Sequence, residues 1–228
     1  MGIKLELDTP LFADKTLGLV ENKEIANKYL SYIESDGASY INTNFTAFRN
    51  SWGDSAGNIP DDVPSIEITF QLINEVVPTV LLGCSGSTNV VISSIANNTL
   101  NVVGRGASGT FDINSGQVNT LKYGSVYSYV NGTLVKDNSQ MANQYRINPL
   151  EYPLLLFASD YTTSAGTNFI NSILRIYEFK GYIGDSLVVH LKPFADENGI
   201  VCMKDVVTNT CIYNSGAGVF KAGSVIGV

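Results

Sequence analysis

The sequence predicts an all-β protein, a two-sheet antiparallel sandwich carrying a short N-terminal arm. Three observations lead there. From residue 29 onward, short β-prone runs alternate with clusters of Gly, Asn, Ser and Asp, at the spacing of hairpins rather than of strand–helix–strand units. Ile66, Ile68, Phe70 and Leu72 alternate with Glu67, Thr69 and Gln71, the period-two pattern of a strand with one buried face. In SYVNGTLV, Asn131-Gly132 stands between two β-prone runs, and this dipeptide tolerates the two positive φ angles of a type I′ hairpin turn.

Composition fits one such domain. A sandwich of 228 residues closes around a single core, and a hydrophobic content of 44% fills it without a disulfide framework or metal. Charged residues are 15% of the chain, against about 25% in a typical soluble domain, so Asn, Ser, Thr and Gly cover much of the surface. The net charge of −7, with no run of Lys and Arg, argues against nucleic acid or an anionic membrane as partner, because both call for clustered cations. Membrane insertion is not expected either, since nothing approaches about 18 consecutive apolar residues. Lys4, Glu6 and Asp8 interrupt the place where the apolar core of a signal peptide would run, and Glu6 stands where a myristoylation signal has Ser or Thr. Cys84, Cys202 and Cys211 make an odd set and are expected as free thiols, with a Cys202–Cys211 pairing across a hairpin left open.

Taken in order, Ile3, Leu5 and Leu7 alternate with Lys4, Glu6 and Asp8, a strand pattern closed by Pro10. Residues 14–28 are polar and weakly helical, with Asp14 as an N-cap and Gly18 against a long helix. The domain division is therefore an arm, 1–27, and a sandwich, 28–228. The apolar stripe of the arm calls for burial, against its own sandwich or along the sheet edge of another copy. VLLG, NVVISSI and TLNVVG follow at hairpin spacing; LLLFA at 154–158 reads as a strand buried on both faces; ILRIYEF and SLVVHLKPF continue the pattern. Two segments read as loops, 45–64 with the only tryptophan, Trp52, and 159–168 (SDYTTSAGTN).

Two stretches carry a resemblance. YLSYIESDGASYINTNF, at 29–45, is similar to the opening strand pair of a concanavalin A-like, laminin-G-like jelly-roll family found in bacteriophage virion proteins and gut bacterial surface proteins. The tail resembles that family's closing pattern, with its strand and turn at Leu187 to Pro193, a hairpin at Gly199 to Asp205, and a final glycine-rich segment at Asn214 to Gly223. YVNGTLV looks like the family's central hairpin. The resemblance spans about residues 29–224 and leaves the arm uncovered. His190, Lys192, Cys202 and Cys211 depart from the family's usual residues, so no ligand site is carried over.

The resemblance implies a jelly-roll fold and, with the weakly charged surface, a virion component without enzymatic activity; the arm, outside the resemblance, would dock it to other virion proteins or to copies of itself. The alternative is a carbohydrate- or receptor-binding module on a phage or bacterial surface. Related glucanases carry Glu-x-Asp-x-x-Glu, which sets three carboxylates on one strand face. Here Glu6-x-Asp8 and Glu34-x-Asp36 continue to Leu11 and Ser39 instead. His190, the only histidine, lies inside a strand pattern and reads as a packing residue rather than a catalytic base. With one His and dispersed Cys an ordinary zinc site is not expected, and no phosphate-binding glycine loop occurs. Of cofactors, only calcium has donors, in Asp160, Asn168 and the Asp61-Asp62 pair, without a recognisable ligand spacing. For a glycan the need is an aromatic face ringed by amides and carboxylates, which Trp52 and Tyr161 with Asp160 and Asn168 would supply from the two loops.

Overall fold

A computed structural model describes residues 23–46, 64–73, 79–84, 91–96, 99–103, 109–114, 116–124, 127–137, 153–163, 166–171 and 173–227, some of them by backbone alone. Within these residues the chain is strand and turn, with one 3₁₀ turn, Lys23–Ile25, and no α-helix. The segment read as weakly helical thus ends in that 3₁₀ turn, and Lys28 already belongs to a strand. Asn27, at φ 56°, turns the chain between them while its N–H donates to the Asp196 carbonyl.

The larger sheet contains, in order, β11 (Thr133–Asp137), β10 (Tyr127–Val130), β9 (Val118–Gly124), β4 (Pro64–Leu72), β15 (Leu174–Ile183), β16 (Ser186–Ala195), β1 (Lys28–Leu30) and β20 (Val225–Gly227). β17 (Val201–Asp205) pairs with β16 and with β18 (Thr210–Ile212), while β2 (Ile33–Glu34) pairs with β15 and β19 (Lys221–Ala222). The second sheet runs β3 (Ile41–Asn42), β12 (Leu154–Leu156), β5 (Thr79–Cys84), β6 (Val91–Ala96), β7 (Thr99–Val103) and β8 (Gly109–Asp112). Every pairing is antiparallel, and the chain changes sheet between β4 and β5 and again between β8 and β9. Neighbours such as β4 and β15 are therefore remote in sequence, the connectivity of a jelly roll.

The core lies between the sheets. β4 turns Ile66, Ile68, Phe70 and Leu72 inward, as its alternation predicts, against Leu82, Leu100, Leu154 and Leu156 of the second sheet. Leu154, Leu155 and Leu156 are all buried, so β12 is covered on both faces as its unbroken apolar run implies. At Asn131 (φ 50°) and Gly132 (φ 80°) the hairpin turn has the two positive angles that its sequence called for.

One expectation is corrected. Residues 159–168 are not a loop: β13 (Ala158–Thr163) and β14 (Gly166–Asn171) form a hairpin in register from Ala158↔Asn171 to Thr163↔Gly166. The β-branched and aromatic residues Tyr161, Thr162, Thr163, Phe169 and Ile170 outweigh the Ser, Gly and Asn among them. The hairpin is set off from β12 at Phe157, which is fully buried at φ 68°, a conformation that a bulky side chain adopts only when its surroundings impose it.

The two ends that carry the family resemblance meet one another. β2 pairs with β19; the Asp36 carboxylate accepts from the N–H groups of Ala38 and Val219; the Ala38 carbonyl accepts from Gly218 N–H; Asn214 accepts from Tyr40 N–H and Gly216 N–H. The glycines are sterically required here, because a Cβ on Gly216 would collide with the Ala38 carbonyl and one on Gly218 with the Asp36 carboxylate. Cys202 and Cys211 are both free thiols on the β17–β18 hairpin, and burial pushes the Cys202 thiol well up.

Candidate ligand-binding face of the larger sheet

Strand alternation that turns leucines and isoleucines inward turns an equal number of side chains outward, and on the larger sheet these are tyrosines, lysines, carboxylates and amides. Register places them in rungs. Tyr129, Lys122, Glu67, Lys180 and His190 stand opposite one another across β10, β9, β4, β15 and β16. The next rung holds Thr120, Thr69 and Glu178, with Lys192 of β16 facing Lys204 of β17. A third contains Val118, Gln71, Arg175, Glu34 and Lys221. A bulge between Ile176 and Glu178 shifts the alternation of β15, so Tyr177 also reaches this face, where its hydroxyl donates to Gln71 Oε1 at 2.8 Å.

Ion pairs fix the carboxylates. Lys180 Nζ lies 2.9 Å from both Glu67 Oε1 and Glu178 Oε2, and Glu178 Oε1 is 2.6 Å from His190 Nε2. Burial raises the Glu178 pKa, but hydrogen bonds and charge from Lys180 and His190 outweigh it, and the carboxyl is held below its ordinary range. Burial likewise works against the Lys180 ammonium, yet the two glutamates raise its pKa well above the ordinary lysine value. In the third rung Glu34 is 8% exposed. It accepts from Arg175 Nε at 2.9 Å and Lys221 Nζ at 3.0 Å, and these two cations overcome the upward effect of burial to lower its pKa. The Arg175 guanidinium lies 4.3 Å from the Tyr32 ring centroid, with Tyr177 edge-on to Tyr32.

Two depressions flank the Glu67–Lys180–Glu178 bridge. One, of about 320 Å³, is lined by Glu67, Thr120, Lys122, Tyr129 and Gly132. The other, of about 370 Å³, is lined among others by Tyr29, Ser31, Tyr177, Glu178 and Lys192. Each therefore presents a tyrosine, a lysine, a glutamate and a hydroxyl. Such a surface offers aromatic area together with donors and acceptors whose positions are already set.

This face is not where the sequence placed the glycan site. Tyr161 and Asn168 are register partners in the β13–β14 hairpin, next to Asp160 and Phe169, and the side chains of Asp160, Tyr161 and Asn168 lie outside what is described. Trp52, the Asp61-Asp62 pair and the arm residues Ile3, Leu5 and Leu7 also lie outside the described residues. Among the described residues no group of three His, Cys, Asp or Glu side chains is arranged to hold a metal ion. His190, read as a packing residue, sits instead on the polar face in contact with Glu178. The outward positions were present in the pattern, as Glu67, Thr69 and Gln71 alternate with the core residues of β4; what the pattern lacks is which strands lie side by side.

No family model matches the chain, and no curated protein sequence matches it. Among solved structures it is similar to a candidate carbohydrate-binding protein from Bacteroides ovatus, at 10% identity and a TM-score of 0.49 over 87% of this chain. It is also similar to a heptameric SAP-like pentraxin from Limulus polyphemus, at 10% identity and a TM-score of 0.36, over 69% of this chain and 73% of the pentraxin. The chain spans 61% of the length of the Bacteroides protein. At such identities and scores these likenesses say nothing of what this chain binds.

Proposed function

We propose that the chain is a non-enzymatic binding module that recognises carbohydrate on the outer face of its larger sheet. The observation that carries this reading is the paired composition of the two depressions, each combining a tyrosine with a lysine, a glutamate and a hydroxyl. Sugars present hydroxyls that both donate and accept, and C–H faces that pack on aromatic rings, so fixed carboxylates beside tyrosines suit them. Glycan-array binding should fall on substituting Tyr129→Ala. Binding untouched by Tyr129→Ala but abolished by Trp52→Ala would move the site to the 45–64 segment.

Among the described residues Glu67 and Glu178 come together most like a glycosidase pair, since one ammonium holds both. Glycoside hydrolysis needs one of two carboxyls to stay protonated as the acid, and here the pKa of Glu178 is lowered and both carboxylates are tied to Lys180. This supports binding without turnover. A β-glucan hydrolysed by the protein, with activity lost in Glu178→Gln, would overturn it.

A second role, assembly through the arm at the edge of the larger sheet, as a component displayed on a virion or bacterial surface would need, draws on β20. Val225 and Ile226 are 43% and 68% exposed on a strand whose partner, β1, is where the arm joins the sandwich. A protein lacking residues 2–13 should stay folded and lose self-association or incorporation into particles. Unchanged assembly would end that reading.

A further inference from the structure

We infer that the outer face of the larger sheet selects acidic polysaccharides, a deepening of the carbohydrate-binding reading on which it rests. The chain as a whole is anionic, with 21 Asp and Glu against 14 Lys and Arg. The three rungs invert that balance, bringing together Lys122, Arg175, Lys180, Lys192, Lys204 and Lys221 with only Glu34, Glu67 and Glu178.

The carboxylates are, moreover, already paired. Glu67 and Glu178 share Lys180, and Glu34 is held by Arg175 and Lys221. Among the described residues no carboxylate forms an ion pair with Lys122, Lys192 or Lys204. Instead, Lys122 Nζ lies 5.8 Å from the Tyr182 ring centroid and Lys204 Nζ lies 4.6 Å from that of Phe194. Of these ammonium groups Lys122 lines the first depression and Lys192 the second. Their strands, β9 and β16, are three strand spacings apart, about 14 Å across the sheet.

Two like subsites at that separation suit a linear polymer that repeats a negative charge, with a lysine for each acidic group and a tyrosine beside it. Lysine serves here as a point charge for carboxylate or sulfate. The same face argues against nucleic acid. Glu67, Glu178 and Gln71 offer acceptors that satisfy sugar hydroxyls, whereas closely spaced phosphodiesters call for an unbroken run of cations, and the strands between Lys122 and Lys192 carry cations already paired with glutamates.

The test is affinity electrophoresis of the full chain through native gels containing polygalacturonate, chondroitin sulfate or neutral dextran, beside a solution titration with a fluorescent single-stranded oligothymidylate. The expected result is retardation by polygalacturonate or chondroitin sulfate and not by dextran, weakening as salt rises. Lys122→Gln and Lys192→Gln should each lower the affinity about fivefold, the upper end for an exposed ion pair, with unchanged melting curves. Equal retardation by dextran would overturn the charge selectivity and leave the carbohydrate reading standing. Retardation by none of the three would overturn both. Oligothymidylate binding as strong as that of the acidic glycans, or full acidic-glycan retention by the Lys122→Gln/Lys192→Gln double variant, would also overturn the inference.

Discussion

Gly216→Ala isolates the contact that joins the first and last segments of the sandwich. Gly216 is not among the residues at positive φ, so the substitution adds no left-handed strain and its effect is that of the methyl group. That methyl would run into the Ala38 carbonyl, with Tyr40 Cδ1 at 3.0 Å beside it. A flexible side chain would yield, but this carbonyl is fixed by Gly218 N–H, and its neighbours by Ser215 N–H to Tyr40 O and Tyr40 N–H to Asn214 Oδ1. Overpacking against backbone costs about 2–3 kcal/mol, and the shift strains hydrogen bonds worth about 1 kcal/mol each. A total of about 3–4 kcal/mol corresponds, for a domain of this size, to a Tm lower by about 10 °C.

Thermal unfolding followed by circular dichroism measures it, with two controls in the same chain. Gly227→Ala, where an added methyl meets nothing within 4 Å, should leave Tm unchanged. Gly132→Ala also meets nothing but sits at φ 80°, and should cost only about 1 kcal/mol of left-handed strain. If Gly216→Ala melts no lower than Gly132→Ala, the ends are not locked together as described.

Asn119 is 1% exposed, and its side chain accepts from Asn114 N–H and Asn131 Nδ2 while donating to the Asn114 and Gln117 carbonyls. Asn119→Ala should cost about 2–4 kcal/mol in urea unfolding, because it orphans partners at both turns; a cost below about 1 kcal/mol would show that water replaces them. Glu34, Asp36 and Glu178 all have lowered pKa values in the fold. Their stabilisation is therefore present above the ordinary carboxylate range, about pH 4, and lost as pH falls through the lowered folded values. Tm should be flat from about pH 5 to 8 and drop below about pH 4, with a shallower drop in Glu178→Gln; identical acid limbs would contradict the Lys180 and His190 contacts.

What the sequence determined by itself is local. Alternation in β4, the unbroken leucines of β12 and Asn131-Gly132 identified strands, a buried layer and a turn, because each depends on residues adjacent in the chain. The segment 159–168 reads as a loop for a related reason. Ser, Gly and Asn there are loop-prone residues, and only pairing from Ala158↔Asn171 to Thr163↔Gly166 makes strands of their neighbours. The polar face needed more than local pattern. Lys122, Glu67, Lys180 and His190 are separated by up to 123 positions in the chain and meet because β9, β4, β15 and β16 are neighbours in the sheet. No run of Lys and Arg marks a basic surface in the sequence, because in a strand only every second residue reaches a given face. The rest of such a surface comes from other strands, and which strands those are is decided by burial of the core on the opposite side.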